Sequence, residues 1–172
     1  MTMEQLIVAV VALPLVSAAL IQLFAPALGR RVARLSVAVV SLTFVLAAAL
    51  LTTSIVGGES GQIALGGSWG ILLFDPLSAL MATVIAGISL IVHIYSVRYM
   101  AEEAGYARFF VMLDLMTATL LAMVSAGDLI TLLIAWHLVG FLLYFLLGHD
   151  NRSQTAHRYA FWTLITCRPG DR

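Results

Sequence analysis

Three ionisable side chains stand inside long apolar stretches of this 172-residue sequence, and each is a candidate for moving a proton. His137 lies near the middle of the run Leu129 to Leu147, in Ala135-Trp136-His137-Leu138-Val139-Gly140. Loss of water around an imidazole favours its neutral form, which can both accept and release a proton. Gly140 and Tyr144 follow on the same helical face, where the glycine admits a close neighbour and the tyrosine extends a hydrogen-bond path. The same imidazole would serve equally to bond a neighbouring helix. Asp114 occupies the run Phe109 to Ser125, on the Arg-bearing side of its centre. A carboxylate there must be paired, hydrated or protonated, and reads as a relay group or as a buried hydrogen-bonding group. His93 sits about one turn from the end of the run Pro76 to Val97. Its neighbours Tyr95, Arg98 and Tyr99 read as interfacial anchors, and His93 enters the interior only where a bundle packs it there. His137 is thus expected as the midplane proton relay, with Asp114 and His93 as secondary members.

Arg168 and Asp171 are spaced to meet on one helix face as a structural ion pair, although Pro169 between them would break a helix and leave a frayed tail. Glu102, Glu103, His149 and Asp150 fall in loops and read as solvated. No phosphate-binding loop, dinucleotide glycine pattern, haem or zinc spacing, or nucleophile elbow is present, so no catalytic residue, metal or cofactor is expected. The single Cys167 excludes a disulfide framework.

The elements that must carry these residues are membrane helices. The chain is 62% hydrophobic and 10% charged, outside the range of soluble domains. It contains no Lys and has zero formal charge, which argues against a nucleic-acid partner. Five apolar runs, about 5–25, 35–56, 76–97, 109–125 and 129–147, are each long enough to cross about 30 Å of hydrocarbon. A partial sixth run covers 156–168. The first run has its Arg cluster after it, which retains it as a span rather than a cleaved leader. The expectation is an all-α integral membrane fold, a bundle of five complete helices plus the start of a sixth, forming a single transmembrane domain over 1–172.

Arginines set the orientation. Arg30, Arg31 and Arg34 follow the first run, Arg98 and Arg108 flank the third turn, and Arg152 and Arg158 follow the fifth run. The two other connections carry only acidic residues, Glu59, Asp75 and Asp128. The positive-inside rule then places the N-terminus outside, in the cell's inner (plasma) membrane. In the outside loop, Gln62 to Leu65, Gly66-Gly67-Ser68 and Trp69 to Phe74 read as a short β-hairpin, with a Gly-rich connector as the alternative. Asp75-Pro76 reads as a helix start, with Asp as N-cap and Pro at the first position.

Several segments resemble one family. Phe74-Asp75-Pro76-Leu77-Ser78, Val92-His93-Ile94-Tyr95-Ser96-Val97-Arg98-Tyr99-Met100 and Arg108-Phe109-Phe110 resemble the third and fourth helices of the antiporter-like subunit of respiratory complex I, NADH–quinone oxidoreductase subunit L (subunit 5). Ala126-Gly127-Asp128-Leu129, Ala135-Trp136, Val139-Gly140 and Arg168-Pro169-Gly170-Asp171 continue the likeness in order. The resemblance implies translocation of protons, or sodium, driven by events in other membrane subunits of a multi-subunit complex. Members of that family have Glu after the tryptophan of the fifth helix, paired with a Lys on the seventh. Here the position is His137, and Lys is absent. Pro169 likewise replaces an aliphatic residue. The chain therefore resembles the N-terminal part of such a subunit, a fragment or a truncated frame. A related alternative is the membrane subunit of inorganic-carbon uptake complexes, which works with a soluble, zinc-containing partner; an inactive truncated stub is a third.

Overall fold

A computed structural model describes residues 3–58, 60–66, 69–101 and 105–147. The element order is α1 (Met3–Leu28), α2 (Arg31–Gly57), β1 (Gly61–Gly66), β2 (Trp69–Phe74), α3 (Pro76–Tyr99), α4 (Tyr106–Val124) and α5 (Leu129–Leu147). Five helices are long and apolar enough to cross a membrane, and the expected hairpin forms between the second and third. The chain is a multi-pass membrane protein with an all-α spanning region. The partial run 156–168 and the pair Arg168 and Asp171 lie outside the described residues.

α1 to α4 form a ring in which α1 packs on α2 and α4, and α3 packs on α2 and α4. Lipid tails are as apolar as leucine, so close packing and interhelical hydrogen bonds, rather than exclusion of water, must hold such helices together. Small residues recur at the required spacing: Ala33, Ser36, Thr43 and Ala47 are buried on α2, and Ala79, Ala82 and Ala86 on α3. Gly87 sits where an added Cβ would come within 3.2 Å of the Phe44 ring. α5 leans on α4 and on the hairpin, and much of its apolar surface is exposed, including Leu133, Trp136 and Phe141.

At the hairpin end, α2 stops at Gly58, whose φ of 63° is the left-handed conformation that ends many helices. β1 and β2 pair antiparallel, with Gln62 opposite Leu73 and Ala64 opposite Ile71. Asp75 caps α3 through a reciprocal box: its carboxylate accepts from Ser78 N at 2.7 Å, and its own N–H donates to Ser78 Oγ at 2.9 Å. The Ser78 hydroxyl and N–H together hold the Asp75 carboxyl below the ordinary carboxylate range. β2 then extends its pairing onto the α4–α5 turn. Leu73 N donates to Ser125 O (2.7 Å), and Gly127 N donates to Ile71 O (2.8 Å). Gly127 is required by this approach, because a Cβ there would lie 2.8 Å from Ile71 Cγ2. Asp128 completes the join by accepting from Ile71 N and, as the cap of α5, from Thr131 N and its hydroxyl. Those bonds, the Thr131 hydroxyl foremost, lower its pKa to about 2.

At the opposite end, Arg30 donates to Ala101 O at 3.1 Å, tying the α1–α2 turn to the α3–α4 turn. The Arg-bearing turns thus meet at one end of the bundle and the acidic caps at the other.

Candidate functional site: a buried polar layer

Inside the ring, two apolar clusters are separated by a layer of polar side chains. Towards the hairpin lie Val10, Val11, Ala47, Ala86 and Leu121; towards the Arg-bearing turns lie Ala18, Val32, Ala33, Phe110 and Val111. Between them each helix contributes a group: Ser17 from α1, Ser36 from α2, Ser89 and His93 from α3, Asp114 and Thr117 from α4. His93 and Asp114 have no exposed surface at all, and Ser17, Ser36 and Thr117 are buried.

Asp114 is the hub. Its Oδ2 accepts from Ser17 Oγ at 2.7 Å, and its Oδ1 accepts from Ser36 Oγ at 2.7 Å. His93 Nε2 lies 3.0 Å from the same Oδ1. The other ring nitrogen, Nδ1, is 2.7 Å from Ser89 O and 3.2 Å from Ser89 Oγ. Ser89 Oγ contacts Thr117 Oγ1, which donates to Leu113 O at 2.9 Å. Phe110 lies beside the imidazole, with ring centroids 6.2 Å apart. An unpaired charge here would cost several kcal/mol, roughly, and the ring of donors around Asp114 is what makes the burial tolerable. Such a layer can hold and exchange a proton between a carboxylate and an imidazole, while the apolar clusters separate it from either end of the bundle.

The structure therefore brings His93 and Asp114 together and places His137 elsewhere. His137 lies on the exposed side of α5, and its Nδ1 is 2.7 Å from Leu133 O, one turn back on its own helix. Among the described residues it makes no contact with the polar layer. Gly140 faces open space. Four contributors escaped the sequence reading: Ser17, Ser36, Ser89 and Thr117. Ser89 is four residues before His93 and Thr117 three after Asp114, spacings that share a helix face and could have been read. Ser17 and Ser36 lie in other helices and carry no local signal.

Residues 67–110, which include His93, match the family model of NADH-Ubiquinone oxidoreductase (complex I), chain 5 N-terminus. NADH-quinone oxidoreductase subunit L of Rickettsia felis is 36% identical over 60% of this chain and 16% of its own length. F(420)H(2) dehydrogenase subunit L of Methanosarcina mazei is 38% identical over 56% of this chain and 14% of its own length. Over these residues the chain is similar to the N-terminal region of the antiporter-like subunits of complex I. The "Probable inorganic carbon transporter subunit DabB1" of Halothiobacillus neapolitanus is 59% identical over 92% of this chain and 29% of its own length. An archaeal respiratory membrane complex, the membrane-bound sulfane sulfur reductase, contains a chain of the same fold: TM-score 0.83 at 18% identity, covering 94% of this chain and 34% of that one. The chain spans less than a third of the length of these curated relatives.

Proposed function

We propose that this chain is the first part of a larger antiporter-like fold and translocates protons (or sodium) as a membrane subunit of an NADH–quinone oxidoreductase-like complex. The observation that carries this reading is the buried His93–Asp114 pair, a protonatable couple at the meeting point of four membrane helices. Ionisable groups are costly inside a membrane, and those retained there are candidates for ion and proton paths. His93 and Asp114 take and return a proton within the ring, and His137 is the relay's member on α5. Events in partner membrane subunits drive the exchange. The arginine pattern supports an inner-membrane location with the N-terminus outside.

A second reading concerns what the flux drives. The 59% identity to a probable inorganic carbon transporter subunit, over nearly the whole of this chain, favours cation-driven uptake of inorganic carbon with a soluble partner. His137, standing where complex I members have Glu, agrees with that reading.

The test is proton flux in sealed vesicles carrying the complete subunit in its complex, with His93→Gln and His137→Ala compared. Each substitution is expected to abolish flux while membrane insertion stays intact. Unchanged flux in the His93 variant would sink the relay; flux that depends on added bicarbonate rather than on a quinone would select the second reading.

A further inference from the structure

The hydrogen bonds around His93 leave few places for its protons. Thr117 donates its hydroxyl hydrogen to Leu113 O, so Ser89 must donate its own to Thr117. His93 Nδ1 then faces two acceptors, the Ser89 carbonyl and the Ser89 hydroxyl oxygen, and must itself carry hydrogen. On the other side, Nε2 and Asp114 Oδ1 stand 3.0 Å apart, a hydrogen-bond distance that two lone pairs would not hold. One more proton therefore lies between them, on the imidazole or on the carboxyl.

Ser36 decides which. Its hydroxyl donates to Oδ1, the oxygen that already faces His93, while Ser17 donates to Oδ2. Two hydroxyl donors, one on each oxygen, suit an acceptor-only carboxylate. A protonated carboxyl would have to give its own hydrogen to Nε2 from Oδ1 while still accepting from Ser36 through the poorer hydroxyl-type oxygen.

We infer that Ser17 and Ser36 are positioning residues that hold Asp114 as a carboxylate, so that the proton of the buried pair resides on His93 Nε2 and the enclosed site is a proton-loaded imidazolium–carboxylate. Like the neutral alternative, the pair has no net charge, which suits a layer enclosed between apolar clusters. No other ionisable side chain faces the pair from α1, α2, α3 or α4 among the described residues. This deepens the relay reading of the same site and rests on it only for its consequence, that the state shown is the loaded one.

The experiment uses the complete subunit in its complex, in lipid vesicles with ¹⁵N-labelled histidine, at about pH 8, where an unpaired imidazole is neutral. His93, identified by loss of its signal in His93→Gln, is expected to show both ring nitrogens protonated. No protonated-carboxyl stretch should be present in the infrared spectrum for Asp114→Asn to remove. In the double variant Ser17→Ala/Ser36→Ala the proton should move to Asp114, giving that stretch and an unprotonated Nε2, while Ser17→Thr/Ser36→Thr should keep the wild-type pattern. An unprotonated Nε2 in the wild type, with a protonated-carboxyl stretch that Asp114→Asn removes, would overturn the assignment. So would an imidazolium that survives the double alanine change. Should that variant fail to fold, the wild-type spectra still decide where the proton sits. Flux in the same vesicles tests the relay separately, because an imidazolium at His93 with flux indifferent to it would retire the relay and keep this assignment.

Discussion

His93 and His137 make the same local bond and live in different places. In each, Nδ1 is 2.7 Å from the carbonyl oxygen four residues earlier on its own helix. The difference lies at the other nitrogen. On α3, inside the ring of four helices, Nε2 meets Asp114; on α5, which leans mainly on α4, the ring is exposed. A histidine within an apolar run is therefore a poor guide to burial by itself. What distinguishes His93 is the helix face it shares with the buried small residues Ala79, Ala82 and Ala86, whereas His137 stands on the exposed side of α5.

The largest expected effect of breaking this contrast is at Asp114. Asp114→Ala removes the acceptor for Ser17, Ser36 and His93 together, and should lower the unfolding free energy of the detergent-solubilised protein by roughly 3–5 kcal/mol, the usual loss when one partner of a buried pair is deleted. Next is the hairpin end, where Gly127→Ala forces a Cβ against Ile71; a loss of about 1–3 kcal/mol is expected in the same unfolding measurement, as for other overpacked sites. A smaller, pH-dependent effect is expected at Asp128. Its folded pKa, lowered to about 2 from 3.8, contributes stability that is complete above the unfolded value and is lost as pH falls through the folded one. The stability gap between wild type and Asp128→Asn should therefore be present at about pH 5 and shrink as pH falls from near 4 towards 2. The smallest effect on stability is at His137: His137→Ala should change unfolding by no more than about 0.5 kcal/mol, as at other exposed positions. That result would separate its proposed role in flux from any role in packing.

The sequence was most legible where one short segment decides the outcome. The five apolar runs, the two strands flanking the glycine-rich segment and the Asp75-Pro76 helix start all follow from local composition and spacing, and each stands in the structure. The site was legible only in pieces. Asp114 and His93 could be noted as costly inside a membrane, but their meeting depends on the order in which helices surround one another, which no window of sequence contains. Ser17 and Ser36 show this most clearly. They lie 97 and 78 residues from Asp114 and look like any serine in an apolar helix. Conversely, His137 drew attention by its central place in the run, and that place says nothing about which side of α5 meets α4.

The proposed function requires protons to pass through the enclosed pair on α3 and α4. The most direct test is proton flux through vesicles containing the complete subunit in its complex, comparing Asp114→Asn with Asp128→Asn at equal incorporation. Flux is expected to be lost with Asp114→Asn and kept with Asp128→Asn, since the proposed relay needs a proton to pass through the first carboxylate, whereas the second joins the hairpin to α5. Flux that persists in Asp114→Asn at the wild-type rate would contradict it.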